Sequence, residues 1–156
     1  MMSRTLLLGI GNVLMGDEGV GVHVARRLEA LGLPPNVHVL DGGTGGFHLL
    51  GELARYDPVV MIDATMDGQP AGTVSVIEPR YASDFPRTLT AHDIGLRDLI
   101  ESATLLGQLP RMRLITISID DMQAMQTTLS TPVAAAVPEV IARIRELVSH
   151  DALQSA

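Results

Sequence analysis

The sequence contains no cysteine, which excludes a disulfide scaffold, thiolate metal ligation and a cysteine nucleophile, and agrees with a reducing, cytoplasmic setting. Positive charge is scarce as well. Eleven basic residues stand against 18 acidic ones, giving a formal charge of −7, and the acids are spread along the chain. A basic face able to bind phosphates is not expected, so nucleic acid is set aside as a partner. No uninterrupted apolar stretch reaches the roughly 18–20 residues that a membrane-spanning helix needs, and no membrane partner is expected. Arg4 precedes an apolar stretch from Leu6 to Met15, as in a secretion signal. Gly9, Gly11 and Asn12 interrupt that stretch, however, and Asp17-Glu18 follow with no cleavage site, so export is not expected either. What is present is 156 residues, 46% hydrophobic and 19% charged. Such a chain folds around a packed core of one-domain size, expected over residues 1–150 with a frayed tail at 151–156.

Apolar runs of strand length alternate with segments of helical period, the pattern of an α/β domain with a largely parallel sheet. Thr5 to Ile10 is a continuous apolar run ended by Gly11-Asn12, as expected of a strand buried on both faces. Val20, Val24, Leu28 and Leu31 then recur at helical spacing until Gly32 and Pro34-Pro35. Val37 to Leu40 is a short second strand entering Asp41-Gly-Gly-Thr-Gly-Gly46, and a second helix is expected from about Phe47 to Tyr56. Pro58 to Ile62 reads as a third buried strand ending at Asp63, while Gly72 to Ile77 alternates and stops at Pro79, as an edge strand of either direction does. A helix from about Thr90 to Leu106 carries the capping pair Thr90 and Asp93, and Arg113 to Ile119 is the last strand. After a loop from Asp120 to Ser130, Thr131-Pro132 opens a terminal helix that Pro138 should kink or restart.

In an open α/β sheet ligands bind beyond the carboxyl ends of the strands, so the residues following each strand are the candidates. They are acidic. Asp17 and Glu18 follow strand one, Asp41 strand two and Asp63 strand three, and His92 opens the helix after the edge strand. A dinucleotide fingerprint fails because Leu14 stands at its third glycine and Asp17-Glu18 would repel a pyrophosphate. No serine lies in a G-x-S-x-G elbow and no H-E-x-x-H helix occurs. Acids in a first helical turn also serve simply to stabilise it, and an aspartate after a strand serves a turn. A Glu and an Asp from these strand ends, with a histidine kept neutral by a helix N-terminus, nevertheless make an O,O,N donor set, suited to Zn, Ni, Fe or Mn. His23, His38, His48 and His150 have no partner fixed by spacing; His48 stands out for following the glycine-rich turn.

Five segments taken together resemble the hydrogenase maturation proteases, the endopeptidases that trim the large subunit of nickel–iron hydrogenases. They are Gly9-Ile-Gly-Asn-Val-Leu-Met-Gly-Asp-Glu-Gly-Val-Gly-Val22, Asp41-Gly-Gly-Thr-Gly45, Ile62-Asp-Ala64, His92-Asp-Ile-Gly-Leu96 and Leu129-Ser-Thr-Pro132. The resemblance spans Leu6 to about Leu147 and is weakest from Ile119 to Gln126. It implies a three-layer, phosphorylase/hydrolase-like α/β domain, with a twisted, mostly parallel but mixed sheet of five or six strands and helices on both faces. It also implies a cleft in which Glu18, Asp63 and His92 ligate a nickel ion supplied by the large-subunit precursor. On the same grounds Asp41 and Asp17 are candidates for the cleavage step, and a monomeric enzyme is expected. Two other classes are weighed beside it: a non-catalytic metal-binding or chaperone module for hydrogenase maturation, and a nucleotide-binding α/β protein.

Overall fold

Leu6, Leu7 and Leu8 cannot all face one side of a strand, because successive side chains point to opposite faces. All three are fully buried, so the strand that carries them must be covered on both sides. A computed structural model describes residues 4–44, 46, 48–86 and 96–155, with side chains to residue 149. It shows how this is done. The strands β1 (Thr5–Gly9), β2 (Val37–Asp41), β3 (Val59–Thr65), β4 (Val74–Ile77) and β5 (Met112–Ser118) form one sheet in the order β2-β1-β3-β5-β4. β4 alone is antiparallel and lies at an edge, which its alternating sequence and Pro79 fit. The expected mixed α/β sheet is present, with five strands.

Helices α1 (Val20–Glu29) and α4 (Thr131–Ser155) cover one face. There Val20, Val24 and Leu28 meet Leu7, Val60, Ile62, Ile115 and Ile117, together with Val133, Val137, Val140 and Ile144. Helices α2 (Leu49–Leu53) and α3 (Leu96–Leu105) cover the other. Leu49, Leu53, Leu96, Leu99 and Ile100 pack there on Leu6, Leu8, Val59, Met61 and Leu114. β1, β2, β3 and β5 thus send alternate residues into two separate cores, while β4 adds Val74 and Val76 to the first alone.

Four boundaries differ from the sequence expectation. β3 continues past Ile62, because β5 extends beside it and pairs Asp63 with Thr116, Ala64 with Ile117 and Thr65 with Ser118. Asp63 is therefore inside a strand, not after one. α2 has five residues rather than about ten; Gly51 at its centre weakens it, and Tyr56 turns to contact the His38 ring and the Arg4 guanidinium. Helix α4 runs without interruption through Pro138. The proline is on the exposed side, so the carbonyl it deprives of a partner faces water. The same helix continues to Ser155, into the tail at 151–156 for which fraying is expected. Residues 87–95, with the Thr90–Asp93 pair, lie outside the described residues.

His23 on α1 buries its Nε2 with no hydrogen-bond partner among the described residues. Burial first, and then the Arg26 charge, holds its pKa below the ordinary 6.5. The folded state therefore favours neutral imidazole. Below about pH 6.5 the unfolded chain takes the proton first, so this contribution to stability is present above that pH and lost as pH falls. A His23→Gln protein should lose less urea stability than the wild type between about pH 7.5 and pH 5.5; equal losses would show that His23 is not responsible.

Candidate active site

From β1 the chain crosses to β2 on one side, while β3 lies on the other, so the carboxyl ends of β1 and β3 frame the crevice where α/β sheets bind ligands. The ladder between them closes at Gly9 and Ile62, and Ile10 N–H still donates to the Ile62 carbonyl at 2.9 Å. Asp63 follows immediately. It stands where β1 has departed and only β5 remains beside it.

The loop after β1 folds back tightly over this edge. Gly11 has φ +150° and its Cα lies against the Glu18 carbonyl, where a Cβ would collide, so glycine is required twice over. Gly11 N–H donates to the Gly43 carbonyl at 2.7 Å, tying the loop to the glycine-rich turn after β2. The loop ends in a single 3₁₀ turn, Gly16–Gly19, which carries both acids and leads straight into α1. Both are buried, Asp17 2% and Glu18 7% exposed. The Glu18 Oε2 accepts the Asn12 N–H at 2.5 Å. Asp63, also 7% exposed, accepts the Ala64 N–H on Oδ1 at 2.8 Å. Buried carboxylates are costly without compensation and persist where hydrogen bonds or cations meet them. Glu18 and Asp63 are thus two buried, hydrogen-bonded carboxylates, one in the 3₁₀ turn and one at the end of the β1–β3 ladder.

Asp17 is spent differently. Its Oδ1 accepts Ser130 N–H at 2.7 Å, and its Oδ2 accepts the Ser130 hydroxyl at 2.7 Å and Gln123 Nε2 at 3.5 Å. Nothing in the sequence signalled Gln123. Ser130 was visible only as part of Leu129-Ser-Thr-Pro132, in front of the terminal helix.

Asp41 stands apart from the other acids. It faces Gly9 in the ladder. Strand alternation puts it with Val37 and Val39 on the α1 side of the sheet, whereas Asp63 shares its face with Val59 and Met61. Its Oδ1 accepts the Gly43 N–H at 2.9 Å, its Oδ2 lies 3.6 Å from Arg26 Nε, and its side chain is 36% exposed. His92 lies outside the described residues, and among those described no three metal-ligating side chains come together. His48 is exposed beside Gly46.

A family model described as hydrogenase maturation protease matches residues 22–147. The hydrogenase 2 maturation protease of Escherichia coli K12 is 31% identical over 150 residues, covering 92% of each chain. The hydrogenase expression/formation protein HupD of Rhodobacter capsulatus is 37% identical over 149 residues, covering 92% of this chain and 71% of its own. Among solved structures, the hydrogenase maturating endopeptidase HybD from E. coli superposes with a TM-score of 0.79 at 31% identity, over 92% of this chain and 93% of that one.

Proposed function

The chain belongs to the hydrogenase maturation protease family, and we propose that it removes the C-terminal extension from the precursor of a nickel–iron hydrogenase large subunit once nickel has been inserted. The observation that carries the reading is the pair of buried carboxylates, Glu18 and Asp63, at the crevice between β1 and β3. With His92 they supply two oxygens and a nitrogen, a donor set suited to a borderline divalent cation. The nickel belongs to the substrate. It enters already bound to the precursor, and Glu18, Asp63 and His92 bind it there, so that a metal-free precursor is not held in register. Recognition of a finished metal centre and commitment to cleavage then become one event.

Cleavage adds water across one peptide bond. The oxygen goes to the carbonyl carbon and a proton to the leaving amine, and one carboxylate is enough to take the proton from the attacking water. Of the two candidate acids, Asp41 is partly exposed but turned to the α1 face beside Arg26, and the Asp17 oxygens already accept three hydrogen bonds. Polarisation of the carbonyl by the substrate's metal is the other route. We further assign the protein to the cytoplasm as a monomer; among the described residues no helix is long and apolar enough to cross a membrane.

The test is the intact mass of a large-subunit precursor, nickel-loaded and nickel-free, before and after incubation with the protein. Loss of a C-terminal peptide from the loaded form alone is the expected result. Cleavage of both forms would overturn the nickel gate. Stable binding with no mass change would replace the protease by the non-catalytic chaperone module.

A further inference from the structure

We infer that Asp17 is a positioning residue: its carboxylate latches residues 123–130 onto the loop between β1 and α1 and thereby sets the place of Glu18. The inference rests on the reading of Glu18 given above.

The latch is made at several points. Beyond the three bonds its carboxylate accepts, Asp17 donates its own N–H to Gln123 Oε1 at 2.8 Å. Just before it, Gly16 N–H donates to the Gln126 carbonyl at 2.8 Å and Gln123 N–H donates to the Met15 carbonyl at 3.2 Å. Met15 and Gln126 form an isolated parallel bridge. Three consecutive residues, Met15 to Asp17, are therefore fixed to a segment more than a hundred positions away.

The choice of a carboxylate follows from what meets it. Ser130 N–H and Gln123 Nε2 can only donate, and they approach different oxygens. A carboxylate satisfies both at once, the 3.5 Å contact from Gln123 being much the weaker. Glu18 is the next residue in the same 3₁₀ turn, and its own carboxylate is held from the other direction by Asn12 N–H. Asn12 and Asp17 thus fix that turn from two sides. Metal-binding groups held by such outer contacts lose affinity or rate when the contact is removed.

The experiment measures cleavage of the nickel-loaded precursor by Asp17→Ala, Asp17→Asn, Ser130→Ala and the double variant Asp17→Ala with Ser130→Ala. A positioning role predicts a loss of about 10- to 100-fold in Asp17→Ala. Asp17→Asn should recover most of it, since the amide oxygen still accepts Ser130 N–H and the amide nitrogen can donate to the Ser130 hydroxyl. The double variant should be no slower than Asp17→Ala, because both changes break one latch. If asparagine is as inactive as alanine, Asp17 supplies charge or moves a proton and the inference is wrong. Fully additive losses, or wild-type turnover in Asp17→Ala, overturn it too. Should Asp17→Ala fail to fold by circular dichroism, the remaining pair decides. Ser130→Ala must slow cleavage about two- to tenfold while Asp17→Asn does not, and the reverse order sinks the latch. A Glu18→Gln enzyme that cleaves normally would bring down the reading of Glu18 instead, whatever the Asp17 variants do.

Discussion

A Glu18→Gln enzyme is expected to leave the nickel-loaded precursor at full length while keeping the fold and thermal stability of the wild type. The substitution preserves volume and leaves an amide oxygen able to accept the Asn12 N–H that now reaches Oε2. The negative charge is what it removes. Glu18 is 7% exposed, so a charge interaction made there with a bound cation is weakly screened by solvent. Truncating one partner of a buried, hydrogen-bonded charge pair across an interface costs about 2–5 kcal/mol, roughly a 30- to 4,000-fold loss. That range exceeds anything expected from a surface acid. The measurement is the single-turnover rate of peptide release by intact mass, alongside a thermal melt. Wild-type release with an unchanged melt would remove Glu18 from the site, and Asp63→Asn provides the parallel test.

Gly21→Ala should be the most damaging single methyl in the α1 region. A Cβ at Gly21 would run into the carbonyl oxygens of Ile62 and Ile10 and lie 3.0 Å from Ile10 N. All three obstacles are backbone and belong to the end of the sheet, so no side chain can move aside. α1 would have to lift from β1 and β3, carrying the acidic 3₁₀ turn with it. Overpacking of this kind costs about 1–3 kcal/mol and occasionally more, and with rigid backbone on every side a loss near ~3 kcal/mol is expected, lowering the melting temperature by about 6–12 °C. Gly51→Ala is the contrast. It sits exposed in α2 with nothing near its missing Cβ, and should stabilise by about 0.4–1 kcal/mol. A melting curve in which Gly21→Ala matches the wild type would contradict the close packing of α1 on the sheet.

Much of this architecture was legible because it is written in periodicities. Leu6 to Leu8 and Val59 to Ile62 are apolar without alternation, and both are strands covered on two sides. The alternation before Pro79 pointed to an edge, and β4 is the antiparallel edge strand. Listing the residues at the ends of the parallel strands singled out Glu18 and Asp63, and both are buried. The hidden part is of another kind. Asp63 lies within a strand because β5 runs beside it, a fact about a partner some fifty residues away. Asp17 looked like a cap or a catalytic acid, yet its carboxylate is held by Gln123 and Ser130. Hydrogen bonds between single polar groups leave no period in a sequence, and a loop such as 120–130 has no pattern to betray where it docks. Asp41 was read beside the other acids by its place after a strand, but alternation turns it to the opposite face, toward Arg26.

The separation between Asp17 and its partners also sets an order of events during synthesis. Gln123 and Ser130 follow Asp17 by 106 and 113 residues. Contacts so distant along the chain contribute only after a large loop has closed, and they slow folding accordingly. With about 5–20 residues added per second, β1, the acidic turn and α1 leave the ribosome many seconds before the segment that fastens them. A nascent chain can pair β1 with β2 and then with β3, but Asp17 lacks Gln123 and Ser130 until the stretch beyond β5 has emerged. The acidic turn is therefore among the last parts of the molecule to be fastened.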